Sequence, residues 1–452
     1  MKQTTSQRGS SRVGVPPVRR GTRRWRNSVR CLTAALVAGL ALTAVGCGGS
    51  SNSGGVVTLK FWKYEDPVQQ PVLQALITEY NASHPKVHVE LQTFPFDQYL
   101  AEKVTTGLSA GNGPDVFWVS AATVLNFAPQ GLLLPLQDTF TADLRADFLP
   151  QTLQSITFGE NVYGVPHEMG IQGLLYDKKV LANVGVQPPK TWDELISTAS
   201  KLTKRPRSGI LLPTQPDVFQ NFIWWPFLWQ GGGEVVDAGY TKARINEPAG
   251  VAALDLWRKL YTDGEAAPTS AGPNGDELGH GTVGMAGLGM WAVSNLTKNY
   301  PNLQVGAAPL PLPQGGTPSS AFGGWYTAAS AASHHPQEAK DFAVWLFGRD
   351  KANAVKLDQA MTTLSPRISV TAELKKLPEF QQPSLAGFFD IWKTARPEPA
   401  YPMEINKAVT DALQAVMFGH KSAQSAADAA AKTINEYLKT PAADKIRSML
   451  RH

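Results

Sequence analysis

From Val56 the chain reads Val56-Val57-Thr58-Leu59-Lys60-Phe61-Trp62, an alternation that predicts a β-strand. Asp66-Pro67 then reads as a helix cap followed by proline in the first turn. Val68, Val72, Leu73, Leu76, Ile77 and Tyr80 follow at helical spacing, and Asn81 to Pro85 reads as a turn. Val87, Val89, Leu91 and Thr93 restore the period of two. A helix is expected from about Phe96 to Leu108, ending near Gly111-Asn112-Gly113. Asp115-Val116-Phe117-Trp118-Val119 is short and apolar, as a buried strand is. This β-α-β-α-β rhythm implies parallel strands with right-handed crossovers, a doubly wound α/β lobe. In such sheets ligands sit off the carboxyl ends of strands. Trp62–Tyr64 and Trp118–Ser120 stand at two such ends.

A second unit is expected after Tyr163-Gly164-Val165-Pro166. Thr191-Trp192-Asp193-Glu194 is a capping box that opens a helix. Asn221 to Gly233 is aromatic and glycine-rich. Pro248 to Tyr261 and Pro336 to Phe347 read as helices, and Asp411 to Leu438 as an alanine-rich pair of helices. Trp192, Trp257 and Trp345 fall at apolar helical positions and are expected in the core. No internal repeat and no heptad pattern is present.

Ahead of all this, Leu32 to Val45 is an apolar run behind a strongly basic segment, and it ends at Ala44-Val45-Gly46-Cys47. That order is a secretory leader, residues 1–46, and the run is shorter than the roughly 20 residues a membrane span needs. The cysteine after the small residues resembles the lipobox of bacterial lipoproteins, with Ala44 where leucine is usual. The resemblance implies that Cys47 becomes the first mature residue and carries a lipid, each buried CH2 adding about 0.8 kcal/mol of membrane binding. Residues 47–55 would be a flexible tether. Arg23-Arg24 after Thr22 also resembles a twin-arginine export signal, without the Phe-Leu expected downstream.

The leader changes the meaning of the charge. The chain carries a formal +5, but residues 1–46 hold nine Lys or Arg and no acid, so removing them leaves −4. Nothing then favours a nucleic-acid partner. The two cysteines are Cys31 and Cys47. The mature fold therefore has no disulfide and no thiolate metal site. Roughly 400 mature residues exceed one comfortable core, so two domains are expected.

Several segments, in order, resemble the extracellular solute-binding proteins of ABC importers, in the subgroup that includes maltose-type binders. They are Phe61-Trp62-Lys63-Tyr64; Ser109 to Val116; Gly131 to Leu136; Tyr163 to Pro166; Leu175-Tyr176-Asp177-Lys178; Pro188 to Leu195; Val283-Gly284-Met285-Ala286 with Trp291; Glu338 to Phe342; and Ser365-Pro366-Arg367. Asp177 stands where that family usually has asparagine. The resemblance implies two doubly wound α/β lobes joined by hinge crossovers, of the type II periplasmic-binding-protein kind, with ligand in the cleft. The chain is expected to cross near His167–Ile171, again near Pro309 and again after Phe347. That assigns 56–168 and 309–350 to one lobe, and 169–308 and 351–452 to the other. Closure would be hinge motion about these crossovers.

A sugar site needs flat aromatic faces and side chains that give and take hydrogen bonds. The candidates are Trp62, Tyr64, Trp118 and Ser120 at the strand ends, with Tyr64 expected exposed in the cleft, and Glu168 after the first crossover. To these the resemblance adds Asn221 and Trp224 on the second lobe. Trp291 stands at the end of a small-residue strand, where sugar binders supply a stacking ring. Gly324 and Trp325 belong to the Gly323-Gly324-Trp325-Tyr326 segment. Arg367 could serve hydroxyls or the hinge. Of the adjacent Trp224 and Trp225, one is expected in the core, and His167 is expected to be structural. No cofactor and no metal is implied. The partners implied are a mono- or oligosaccharide, the permease subunits and, through the lipid, the membrane, for a monomer outside the cytoplasm.

Gly279 to Gly284 matches GxGxxG, but no strand precedes it and Gln304 stands where a ribose-binding acid would be needed. There is no Walker A pattern, no GxSxG and no HExxH. A secreted glycosidase with a carboxylate pair stays open. So does the same fold binding a polyamine or a phosphodiester. A cation would call for clustered acids in the cleft and an anion for clustered bases. The candidate segments offer neither, which favours a neutral, hydroxyl-rich ligand.

Overall fold

The computed structural model describes residues 55–263, 266–269 and 272–450. The leader, Cys47 and residues 48–54 of the expected tether lie outside the described residues. Among the described residues no helix is long and apolar enough to cross a membrane.

Two mixed sheets form the frame. The first runs β2 (Val87–Phe94), β1 (Val57–Tyr64), β3 (Val116–Val119), β12 (Tyr326–Ala329) and β6 (Val165–Pro166). β1 pairs parallel with β2 from Val57–Val87 to Tyr64–Phe94, and parallel with β3. β12 pairs antiparallel with both β3 and β6. The second runs β13 (Ala395–Pro397), β11 (Ser320–Gly323), β7 (Gly170–Asp177), β9 (Val283–Gly289) and β8 (Ser208–Leu211), with β10 (Val305–Ala308) also on β7. A short hairpin pairs β4 (Thr157–Phe158) with β5 (Asn161–Val162).

The local signals explain these elements. Leu59 and Phe61 of β1 are fully buried, and all four residues of β3 are buried, between β1 and β12 and against the Pro336–Val344 helix. Asp66 Oδ1 accepts from the Val68 and Gln69 amides at 2.8 and 2.9 Å and starts the Gln69–Ser83 helix. The Phe96 helix runs through a wider turn at Tyr99–Lys103 to Val104–Ser109. Thr191 and Glu194 form the capping box of the Trp192–Leu202 helix. Trp257 is fully buried in the Pro248–Thr262 helix, whereas Trp192 and Trp345 are half-buried.

The sheets are crossed by three neighbouring segments. The first lies between β6 and β7. The second is Gly324-Trp325, between β11 and β12, rather than near Pro309, because β10 and β11 both pair antiparallel with β7 before the chain leaves. The third also comes later than the expected position after Phe347. The Lys351–Met361 helix packs on Gln69–Ser83, and Arg367 bridges to Phe148, so this stretch stays beside the first sheet. Pro383–Ala386 then reaches β10, and Phe388–Ile391 reaches β7. Backbone bonds tie the segments together: His167 N donates to Trp325 O at 3.1 Å, and Met169 and Leu364 exchange bonds of 2.7 and 3.1 Å. The Met403–Met417 and Ala423–Tyr437 helices pair with each other and with Pro248–Thr262 on the second sheet's outer side.

Candidate functional site

A cavity of about 100 Å³ lies between the sheets, at the carboxyl ends of β1 and β3. Tyr64, Phe96, Ser120 and Trp325 line it from the first lobe, and Phe219, Phe222, Asn274 and Trp291 from the second. The rings touch across the cleft: Phe96 meets Phe219 edge-on at 6.1 Å between centroids. Trp325 lies 4.6 Å from Tyr64 and 6.3 Å from Phe96, and Trp291 lies 6.2 and 5.9 Å from Phe219 and Phe222.

Each ring is held by the sequence around it. Trp291 rests on two glycines. A Cβ on Gly289 would stand 1.9 Å from Trp291 Cζ3, and one on Gly170 would stand 2.7 Å from its Cε3. The indole Nε1 donates to Pro273 O at 2.9 Å, which fixes the ring plane. Tyr64 takes a hydrogen bond from Gln69 Nε2 at 2.9 Å. It is 4 % exposed, so its ring forms wall rather than standing free in the cleft as expected. Ser120 caps the Ala121–Phe127 helix, accepting from Thr123 N at 3.3 Å. Gly324 lets the crossover pass so close that a Cβ there would meet Glu168 O at 1.9 Å.

Carboxyl groups share this wall. Asp66 and Glu168, 5 % and 9 % exposed, and the half-buried Glu398 all line the cavity. Glu168 Oε2 accepts from Gln69 Nε2 at 3.3 Å. Burial, reinforced by the Asp66 charge, pushes Glu168 up to about 8, while Lys63 opposes the shift. Burial likewise pushes Glu398 up to about 8. Lys63 is fully buried behind the wall, with Nζ 4.5 Å from the Tyr64 ring centre and 5.0 Å from that of Trp118. It donates to Tyr64 O at 2.6 Å, and burial lowers it to about 8 against the pull of Asp66 and Glu168. Among the described residues, neither this cavity nor the adjoining mouth, which Glu65, Asp97 and Asp217 line, has a Lys or Arg in its wall. The expectation that the cleft would hold no cluster of acids is thereby corrected. The acids come from segments far apart in the chain, so no local stretch displays them.

The structure thus brings Tyr64, Ser120, Glu168, Trp291, Gly324 and Trp325 to one cavity. It does not bring five other candidates there. Trp62 packs on Phe94 at 4.9 Å and over Gly107. Trp118 is fully buried behind the wall, 4.2 Å from His167. Asn221 is buried, donating to Asn406 O at 2.9 Å and accepting from Thr410 at 3.0 Å. Trp224 and Trp225 are both core, because the whole Val218–Gln230 helix is enclosed beyond its first turn. Arg367 holds Asp147 at 2.8 Å and the carbonyls of Phe347 and Gly348, so it braces the first lobe. His167 is buried, stacks on Phe347 and bonds Thr327 at 3.1 Å. Sequence reasoning missed Phe96, Phe219, Phe222 and Glu398. The signal was present for three of them: Phe96 opens the helix after β2, and Phe219 and Phe222 begin a helix at an i, i+3 spacing that keeps both on one face.

Two sheeted lobes, three adjoining crossovers and a ring-lined cavity between them define a ligand-binding protein of the two-lobed kind. The chain belongs to the bacterial extracellular solute-binding protein family, which it matches over residues 66–353. It is 27% identical to the diacetylchitobiose-binding protein DasA of Streptomyces coelicolor, over 69% of this chain and 77% of that one. It is 24% identical to the arabinooligosaccharide-binding protein of Halalkalibacterium halodurans, over 66% and 69%. Among solved structures it resembles the GacH receptor of Streptomyces glaucescens, determined unliganded and with acarbose, with a TM-score of 0.72 and 25% identity over 85% of this chain and 98% of that one. The maltotriose-bound binding protein of Thermus thermophilus shares the fold, with a TM-score of 0.72 and 22% identity over 84% and 100%.

Proposed function

We propose that this chain captures a carbohydrate in the interlobe cavity outside the cytoplasm and delivers it to the membrane permease of an ABC importer. The observation that carries the reading is the ring-lined cavity, to which each lobe contributes aromatic faces. Sugar rings present C–H faces to such walls, and Asp66, Glu168, Ser120 and Asn274 offer hydrogen-bond partners at their edge. The names of the relatives support the same class of ligand. Residues 56–166 and 326–374 would move as one lobe and 170–323 with 383–450 as the other, turning on the crossovers. Ligand favours the closed form to the extent that it touches both walls at once. Cys47 would carry the lipid that holds the monomer at the membrane, and no bond in the sugar would be made or broken. A thermal-shift screen of mono- and oligosaccharides tests this. A ligand at 100 times its Kd adds about 2.7 kcal/mol. A saccharide-specific shift, lost in Trp291→Ala and Trp325→Ala, supports the reading, provided the sugar is recovered unchanged. No shift from any saccharide would refute it.

A further inference from the structure

Resting on that carbohydrate reading, we infer that the cleft selects saccharides bearing a free, positively charged amino group, held by Asp66, Glu168 and Glu398 among the surrounding ring faces. Three independent features point this way. The first is charge. Three carboxyl groups line the cavity and three more, Glu65, Asp97 and Asp217, line its mouth, while no Lys or Arg lines either among the described residues. Lys63 stands behind the wall, covered by the Tyr64 and Trp118 rings, and balances one of them.

The second is unused bonding capacity. A carboxylate accepts up to four hydrogen bonds. Asp66 spends Oδ1 on two backbone amides, and Oδ2 has no partner among the described residues. Glu168 receives one bond, on Oε2, and Oε1 receives none. The Glu398 side chain has no hydrogen-bond partner at all among the described residues, and it shares a second, smaller cavity with Glu168 beside Gly323 and Gly324. None of these open oxygens is sealed from solvent, so a ligand's donors can take the place of water on them. An ammonium group brings three donors and no acceptor, and its charge favours the ionised form of Glu168 and Glu398, which without it stand near 8, so that their oxygens accept.

The third is the rings. Aromatic faces around a cation attract it through their quadrupole. The site already holds one such pairing, with the Lys63 ammonium 4.5 Å from the centre of Tyr64. The faces of Trp325 and Trp291 that border the cavity offer the same attraction to a ligand. A neutral sugar would use the stacking but not the charge.

The test is calorimetric titration of the full chain at pH 7 with four probes: β-1,4-linked glucosamine dimer, its N-acetylated counterpart, maltotriose and spermidine. The inference expects the free-amine dimer to bind at least ten-fold tighter than the acetylated one. It expects that preference to shrink at least three-fold when NaCl rises from 50 to 500 mM. Glu398→Gln should weaken the amine dimer at least five-fold and the acetylated dimer less than two-fold. The salt dependence needs no variant and stands even if Glu398→Gln folds poorly. Equal or tighter binding of the acetylated dimer or of maltotriose overturns the inference and leaves the carbohydrate reading intact. Binding of spermidine with no saccharide, or binding of no probe, overturns the inference, and the carbohydrate reading falls with it only if the wider saccharide screen is also silent.

Discussion

Replacing Gly324 by alanine isolates what the second crossover demands. The added Cβ would stand 1.9 Å from Glu168 O. Carbon and carbonyl oxygen ordinarily approach no closer than about 3.3 Å, so the two crossing segments must separate by about 1.4 Å. Gly324 has no left-handed backbone, so the clash is the whole perturbation. Neither atom belongs to a flexible side chain, and the segments are tied by the His167–Trp325 backbone bond and the Thr327–His167 contact, both 3.1 Å. Overpacking of this kind costs about 1–3 kcal/mol, and loss of one buried bond about 1 more. The expected destabilisation is about 3 kcal/mol, read from guanidinium unfolding followed by tryptophan fluorescence. Ligand affinity should fall at least ten-fold, since Glu168 and Trp325 move apart. Gly315→Ala is the control. Gly315 sits at φ +71° with nothing within 4 Å of a Cβ, so it should lose about 1 kcal/mol through the backbone alone and keep its affinity. Gly324→Ala within 0.5 kcal/mol of the parent would refute the argument.

Arg367→Met should cost about 1–3 kcal/mol, because two buried carbonyls lose their partner while the partly exposed Asp147 keeps its two bonds from Ser369. Saccharide affinity of the folded fraction should stay within two-fold, and a larger loss in titration would return Arg367 to the site. The apo protein should lose stability between about pH 5 and pH 8. Glu168 and Glu398 titrate near 8 when folded and near 4.5 when unfolded, so the folded chain binds more protons in that window and their contribution, full below it, drains as pH rises. Lys63, lowered to about 8, gives the opposite slope only above that pH. Urea midpoints at both ends, with Glu398→Gln flattening the difference, check this; a midpoint that climbs from pH 5 to 8 contradicts it. Asp217→Ala removes the acceptor for Gln220 N at 3.0 Å and should cost about 1 kcal/mol in the same assay. No change would mean that the Val218–Gln230 helix does not depend on its cap.

What the sequence displays is local. Alternation at Val57–Trp62, the Asp66 cap and the Thr191–Glu194 box each rest on residues within one turn or strand, and each appears where its chemistry puts it. What it hides is which strand a segment joins. Val305–Ala308 looks like a strand leaving for the other lobe, but pairing with β7 keeps it, and β11 after it, in the second sheet. The tryptophans show the same limit. Trp118 lies near the end of one apolar strand and Trp291 follows another, and composition does not separate them. Trp118 is enclosed by Phe61, Tyr64, His167 and Phe347, whereas Trp291 is propped on Gly170 and Gly289 at the cavity edge. The glycines were the readable difference, since a strand ending in Gly289 makes room for a large ring beside it.

The division of the rings between the lobes ties affinity to motion. Tyr64, Phe96 and Trp325 belong to the first lobe, and Phe219, Phe222 and Trp291 to the second. Either half alone offers a saccharide one face, so only closure supplies the opposite one. The carboxyl groups are divided less evenly. Asp66 and Glu168 precede the first change of sheet, and Glu398 follows β13 on the second. A ligand that joins Glu398 to Glu168 therefore works directly against opening, whereas one that only stacks on Trp325 does not. Closure free energy and ligand selectivity then share the same contacts, and a ligand can shift the closed population only by its difference in affinity for the two forms. A saccharide that binds without bridging the halves should occupy the cleft and leave the lobes open.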